Sequence, residues 1–423
     1  MNRVVMAGIL LAAGIAGVLA YTAVRDDREY RRLIANGDAA VATGDTFLAI
    51  EAFSGAVARK PDAMLAHLKR GETYRRRGEL AAALRDLRSA ARLDATATRP
   101  LEQLGDVNAG LGQYANAEAR FLDYLRLDAE APRILYKLGL SRYRNGNAAT
   151  AVSALRDAVA LDPRLAEAHY LLGLSLRAQD QLDAAVAALR VAVRLAPAET
   201  EGRLELADLL STLGLHEERI DQLEALAALN LDRPQHQVAL GLAHADAGRS
   251  DLAVLALGRA AERYPDQPHF YVALGRIWLD VADQRADPSA LGKALEALDE
   301  SIVQGVNTSA AYVLRGRALL LADDLDSALD AFQTASQRFP IDPDAYRHLA
   351  ALALQAGQLR AARDALSSYD ALAQHAMTPM ARAAAARRLG ELSGQLADDT
   401  AEARWLRLAD EIAPPTAGRP PSP

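Results

Sequence analysis

The sequence predicts an all-α fold in which short helical hairpins are stacked in a row. Alanine, leucine and arginine are abundant and aromatic residues make up only 5% of the chain. That composition suits helices and suits β-sheet poorly, because β-branched and aromatic side chains fill pleated surfaces. The 423 residues also show a recurrence with a spacing of 34, which is typical of proteins built from one repeated supersecondary unit.

The repeat is clearest at the turn between the two helices of each unit. We expect the residue at this turn to adopt the left-handed conformation that ends many helices. The positions are Gly44, Gly78, Gly112, Gly146, Asp180, Gly214 and Gly248. Units are predicted to start near residues 30, 64, 98, 132, 166, 200, 234, 268, 309 and 343, with a degenerate one near residue 383. The eighth unit is longer than the others, and we expect its excess to form a loop around residues 282–290.

Within a unit, a glycine in the first helix is followed by a bulky residue in the second. Two helices can approach closely where one presents a small residue and the other fills the space beside it. The Leu-Gly pairs are Leu104-Gly105, Leu138-Gly139, Leu172-Gly173, Leu240-Gly241 and Leu274-Gly275, and the bulky residues that follow them are Phe121, Leu155, Leu189, Leu257 and Leu298. In these features residues 30–414 resemble the tetratricopeptide repeat family. The resemblance implies a right-handed superhelical solenoid of about 10–11 helix-turn-helix repeats that binds other proteins.

The N-terminal segment is predicted to be a transmembrane helix. Residues 4–24 carry no charge, and a helix of that length spans about 30 Å, the thickness of a bilayer core. We therefore expect residues 1–29 to be an anchor with its flank, residues 30–414 the repeats, and residues 415–423 a Pro-rich disordered tail. A cleavable secretory signal is the alternative. The expected location is the bacterial inner membrane, with the repeats periplasmic rather than cytoplasmic.

Several classes of chemistry are unsupported by the sequence. There is no cysteine, and the formal charge of −7 favours no nucleic acid partner. The eight histidines form no metal-binding pattern, so we predict no catalytic residue, cofactor or metal, and no enzymatic activity. His67 and His169, at the same repeat position, are expected to be packing residues, and so are the tyrosines Tyr136 and Tyr170.

A partner-binding groove follows from the family resemblance alone. In the family, given positions of the first helices face the concave surface. Carried onto this sequence, they give Arg31, Lys69, Arg75, Arg76, Arg99, Arg133, Lys137, Tyr143, Arg144 and Arg177, followed by the apolar residues Leu171, Leu174, Leu204, Val238, Leu242, Val272, Val313 and Leu314. The acidic residues Glu72, Glu102 and Asp106 share the same groove. The hypothesis is a groove that is basic in one part and apolar in the other, where arginines hold carboxylates or phosphates of a protein or peptide. A solvated Arg-rich surface is the alternative interpretation.

The function predicted from these features is that of a membrane-tethered scaffold. It would assemble a cell-envelope complex, for example in polysaccharide export or envelope biogenesis. One alternative is a regulatory adaptor that faces the cytoplasm. The other is the recognition arm of an enzyme such as a glycosyltransferase, which is disfavoured because the repeats fill nearly the whole chain.

Overall fold

The computed structural model describes residues 2–229, 233–264 and 267–413, with side chains from residue 15 onward except those of residues 17 and 19. These residues form 22 α-helices and no strand, so the predicted all-α repeat solenoid is confirmed. The first eleven helices are α1 (Asn2–Ala42), α2 (Thr46–Arg59), α3 (Met64–Arg76), α4 (Leu80–Leu93), α5 (Thr98–Gly110), α6 (Tyr114–Leu127), α7 (Pro132–Arg144), α8 (Ala148–Leu161), α9 (Ala166–Arg177), α10 (Leu182–Leu195) and α11 (Thr200–Thr212). The others are α12 (His216–Leu229), α13 (Pro234–Asp246), α14 (Ser250–Arg263), α15 (His269–Arg285), α16 (Pro288–Val303), α17 (Ser309–Leu321), α18 (Leu325–Ala335), α19 (Asp344–Gln355), α20 (Leu359–Ala373), α21 (Pro379–Gln395) and α22 (Asp399–Ile412). The predicted tail at residues 415–423 lies outside the described residues.

The chain divides into two compact units, Met1–Leu209 and Leu210–Pro423. In the first unit α1 packs on α2, α3 on α4, α5 on α6, α7 on α8 and α9 on α10. In the second unit the pairs are α13 with α14, α15 with α16, α17 with α18, α19 with α20 and α21 with α22. Within each unit, the second helix of one pair also contacts the first helix of the next. Each hairpin thus buries on its neighbour the apolar surface that it could not bury alone.

Close packing inside each hairpin depends on a glycine that faces a large side chain. A Cβ atom on Gly105 would lie 2.3 Å from Phe121 Cε1, and one on Gly139 would lie 2.6 Å from Leu155 Cγ. No real Cβ atom tolerates such distances, so any other residue would force the helices apart. The same relationship joins Gly173 to Leu189, Gly241 to Leu257 and Gly275 to Leu298. The predicted pairing of small and bulky residues is therefore confirmed.

The turn inside each hairpin is left-handed at the position that the sequence predicts. Gly44 has φ 80° and Asp180 has φ 58°. After Gly44, the backbone N–H of Asp45 donates to Ala40 O at 2.9 Å, which satisfies a carbonyl that the end of the helix leaves free. Positive φ also occurs at Gly78, Gly112, Gly146, Gly214 and Gly248. The prediction for these seven turns is confirmed.

The predicted membrane anchor is wrong for the part of the chain that the structure describes. There, no helix combines the length and the apolar character that crossing a bilayer requires. The side chains of residues 2–14 lie outside this description, and from Arg25 onward α1 carries charged residues. In particular, Asp26 and Asp27 form ion pairs with Arg59 and Lys60 at the end of α2. The segment expected to flank a membrane is therefore part of the first hairpin. The predicted inner-membrane location depended on the anchor and is wrong as well.

The eighth hairpin accommodates its additional residues by lengthening its helices. Helix α15 has 17 residues and α16 has 16, and only Ala286 and Asp287 connect them. Val281, Ala282 and Ala290 are buried together where a loop was expected. The predicted loop is therefore wrong, because these apolar side chains gain more by packing as helix than they would in a solvated connection.

Candidate binding groove

Several cations of the predicted groove pair with carboxylates of a neighbouring hairpin. Lys69 Nζ in α3 donates to Asp38 Oδ1 in α1 at 2.6 Å. Arg99 in α5 donates to both carboxylate oxygens of Glu72 in α3, at 2.6 and 3.1 Å. Farther along, Arg177 in α9 pairs with Glu205 and Asp208 in α11. Ion pairs thus connect the first helices of successive hairpins along one face of the first unit, which we call the first-helix face.

Lys137 pairs with two carboxylates of one neighbouring helix. Its ammonium lies 2.6 Å from Glu102 Oε1 and 2.9 Å from Asp106 Oδ2, both in α5. Burial by itself would lower the pKa of Lys137, but the hydrogen bonds to the two carboxylates outweigh it, so its pKa lies above the usual value. A lysine held in this way acts as a clamp between α5 and α7, and its charge is not free for a partner.

Only part of the predicted basic set is left for a ligand. Arg31 pairs with Asp27 at 2.7 Å, one helical turn away. Four other arginines of the set are exposed and form no ion pair within the described part of the chain; they are Arg75, Arg76, Arg133 and Arg144. Tyr143, half-exposed beside Arg144, completes the set. That these residues bind a partner stays a prediction.

A cleft opens beside the cations, between α7, α9, α10 and α11. Its volume is about 360 Å³. We call it the tyrosine cleft, and its lining residues are Tyr136, Ala166, Glu167, Tyr170, Ala192, Val193, Ala196, Glu199, Glu201 and Gly202. Two aromatic rings, three carboxylates and several small apolar groups therefore surround one concave space, an arrangement that suits one side chain of a bound peptide.

The electrostatics of the tyrosine cleft depend on its burial and on its carboxylates. Burial raises the pKa of Tyr136, and Glu167 adds to this effect. Burial also raises the pKa of Tyr170, with further contributions from Glu205 and Glu201. Arg144 opposes the shift at both tyrosines, which places its guanidinium within electrostatic reach of the cleft. The two phenols are neutral hydrogen-bonding groups at neutral pH.

The sequence predicts Tyr136 and Tyr170 to be packing residues, and in the structure both also line the tyrosine cleft. Both are half-buried, one repeat apart, at equivalent positions of α7 and α9. Their spacing was visible in the sequence, but packing residues show the same spacing. What makes these two different is the small residues beside them: Gly202 is buried at the cleft, and a Cβ atom there would lie 3.6 Å from Val193 and 3.8 Å from Tyr170.

The apolar part of the predicted groove is largely core. In the second unit Val313 is only 4% exposed, Val238 and Leu242 pack against the buried cluster around Leu257, and Leu314 packs against the cluster around Leu298. In the first unit Leu171 is also buried, while Leu204 is exposed. The positions that face a groove in the family therefore contribute here to contacts between helices, because a row of adjacent apolar side chains packs inward when a neighbouring helix is within reach.

His67 and His169 contribute to the packing of their hairpins. His67 Nε2 lies 2.9 Å from Pro61 O, and His169 Nε2 lies 3.1 Å from Pro163 O. The two contacts join equivalent positions of their repeats. The His67 ring also contacts Asp86 at 3.3 Å, and Arg70 holds the same carboxylate. Among the described residues no group of three or more histidine, aspartate or glutamate side chains could hold a metal ion.

Comparison with known proteins identifies one family model. The model described as a tetratricopeptide repeat matches residues 34–98, 103–165, 136–200, 204–268, 238–304 and 313–376. No curated protein matches the chain.

Several solved structures resemble the chain. Yeast Tom70 is 15% identical with a TM-score of 0.47, over 89% of this chain and 91% of that one. MamA from Desulfovibrio magneticus is 27% identical with a TM-score of 0.39, over 40% of this chain and 96% of that one. YrrB, described as a repeat protein with an unusual peptide-binding site, is 21% identical with a TM-score of 0.39, over 44% of this chain and 95% of that one. None of these likenesses identifies a ligand for this chain.

Proposed function

The chain belongs to the tetratricopeptide repeat family, and we propose that it is a scaffold that binds a polypeptide partner on the first-helix face of its first unit. The observation that carries this proposal is the tyrosine cleft, where Tyr136 and Tyr170 flank a space of about 360 Å³. Tyrosine favours peptide binding because it offers a large apolar ring and a hydrogen-bonding hydroxyl at little cost in conformational entropy.

Charge limits what the partner can present to this face. Lys69, Arg99 and Lys137 are neutralised by carboxylates of the chain itself. Arg133 and Arg144 in α7 are exposed, and they would pair with carboxylates of the partner on one side of the cleft. In the cleft, Glu167, Glu199 and Glu201 favour an apolar or cationic side chain over an acidic one. That the partner belongs to a cell-envelope assembly stays a prediction from the sequence.

The proposal is tested by filling the cleft. Because a Cβ atom on Gly202 makes only ordinary contacts with Val193 and Tyr170, Gly202→Leu should place a side chain in the cleft without displacing the backbone. Peptides selected from a displayed random library on the wild-type protein should bind the variant about tenfold more weakly or worse, as expected when a buried anchoring contact is lost.

A matched control is available in the second unit. Gly292 in α16 is an exposed helical glycine, and nothing lies within 4 Å of an added Cβ atom. Gly292→Leu should leave peptide affinity unchanged. Equal affinity of the selected peptides for wild type and Gly202→Leu, with both proteins folded by circular dichroism, would exclude the cleft as the binding site.

A further inference from the structure

A second cleft lies on the second helices of the first unit, away from the first-helix face. Helices α4 and α6 form its two sides, α5 lies between them, and its volume is about 580 Å³. We call it the arginine cleft. No predicted groove residue lines it, and the proposed function makes no use of it.

Positive charge dominates this cleft. Arg88 and Arg92 line it from α4, and Arg120 and Arg126 line it from α6. Asp123 is the one carboxylate in the lining, so four positive charges and one negative charge leave a net charge of +3. Alanine and leucine side chains and two asparagines, Asn108 and Asn116, form the rest of the wall. An open surface with this charge attracts anions, and guanidinium groups bind carboxylates through paired hydrogen bonds.

The arginines on the two sides differ in what already holds them. On α6, Asp123 bridges Arg120 at 2.8 Å and also pairs with Arg126. On α4, Arg92 donates only to the hydroxyl of Ser89, at 3.1 Å, and exposed Arg88 has no ion pair among the described residues. On the α6 side, one carboxylate is therefore shared by two arginines. The α4 side also has two arginines, but no carboxylate of the described residues pairs with them.

We propose that the arginine cleft binds an acidic segment of a polypeptide. Carboxylates of the segment pair with Arg88 and Arg92, and an apolar side chain of the segment covers the leucine and alanine part of the wall. A polypeptide fits both features, since it combines carboxylates with apolar side chains. Inorganic phosphate or a phosphate ester would satisfy the arginines but would leave the apolar wall unmatched.

The test uses the full-length protein and a short fluorescein-labelled peptide rich in glutamate, with leucine at its centre. Fluorescence anisotropy should show binding that weakens as salt is added, because the contacts are charged and partly exposed. The double substitution Arg88→Glu with Arg92→Glu should weaken binding about tenfold or more.

The repeat supplies a matched control for the charge reversal. Arg156 in α8 and Arg194 in α10 are exposed arginines at the positions equivalent to Arg88 and Arg92, two and three repeats later, and neither lines the arginine cleft. Arg156→Glu with Arg194→Glu makes the same change in net charge and should leave the affinity for the acidic peptide within about twofold. Gly202→Leu should also leave it unchanged, which separates this site from the proposed peptide-binding function.

Three results would overturn the proposal. The first is equal loss of binding in the cleft pair and the control pair, which would mean nonspecific attraction. The second is unchanged affinity in Arg88→Glu with Arg92→Glu. The third is competition by inorganic phosphate at the same concentration as by unlabelled peptide, which would identify a simple anion site.

Discussion

The ammonium group of Lys137 in α7 donates a hydrogen bond to Glu102 Oε1 in α5 at 2.6 Å, across the boundary between two successive hairpins. The same ammonium reaches Asp106 at 2.9 Å. One cation therefore holds two carboxylates on the neighbouring helix, and the pair of acids would repel each other without it. The cations predicted to form a ligand groove are, in this instance, part of what joins one repeat to the next.

Lys137→Met should lower the free energy of unfolding by about 1 kcal/mol, because it leaves Glu102 and Asp106 without their counterion at a partly exposed site. Urea titrations followed by circular dichroism would measure it. Arg133→Met is the matched control, since Arg133 is exposed on the same helix without an ion pair among the described residues, and its effect should stay within about 0.5 kcal/mol. Equal urea midpoints for the two variants would contradict the role of Lys137 as a clamp.

Gly105→Ala should destabilise the protein by about 1–3 kcal/mol, because the new methyl group would lie 2.3 Å from Phe121 and the helices must separate to admit it. On the same helix, Gly110 has nothing within 4 Å of an added Cβ atom. Gly110→Ala should therefore stabilise by about 0.5–1 kcal/mol, from the higher helix propensity of alanine. Thermal unfolding of both variants tests the pair, and a Gly105→Ala variant at least as stable as the wild type would show that close packing at Gly105 is not limiting.

Ala286→Gly should raise the free energy of unfolding by about 1 kcal/mol. Ala286 ends α15 with φ 49°, and this left-handed conformation strains a residue with a Cβ atom but not glycine. Ala247→Gly is the comparison, because Ala247 ends α13 with φ −81° and should gain nothing. If calorimetry finds Ala286→Gly no more stable than wild type, the turn of the eighth hairpin is not strained.

Stability should fall as the pH is lowered from 7 toward 5.5, in part through His348. Burial, reinforced by Arg347, lowers the pKa of His348, whose ring stacks on Phe332 at 4.6 Å and whose Nε2 has no hydrogen-bond partner among the described residues. In the unfolded chain the pKa is about 6.5. Below that value the unfolded state takes up the proton more readily than the folded state, so the free energy of unfolding falls with pH.

His348→Leu should make the unfolding free energy less dependent on pH over this range, as measured by urea titrations at several pH values. His375→Leu is the control, because His375 is exposed and its removal should leave the slope unchanged. A slope that is the same in wild type and His348→Leu would assign the acid sensitivity to other groups.

The sequence was sufficient to predict contacts within a hairpin, but not contacts between hairpins. Glycines at the turns and the pairs such as Gly105 with Phe121 were predictable, because each depends on residues close in the chain and on a conformation that few other residues allow. The interaction of Lys137 with Glu102 was not, because the family resemblance marks a position as facing a groove without showing which opposite charge lies across from it. The cleft that Tyr136 and Tyr170 line was not predictable either, since it depends on small residues contributed by other helices, Gly202 among them.

The sequence by itself determined the class of fold, the period of the repeat and the residues that turn and close each hairpin. These follow from backbone conformation and from side-chain volume, which act locally and recur at a fixed spacing. Only the tertiary structure decided that residues 25–29 belong to a hairpin, that the eighth repeat extends its helices, and which cations remain free. Those outcomes depend on which side chains of neighbouring helices come within hydrogen-bonding or packing distance, and a spacing along the chain does not specify those contacts.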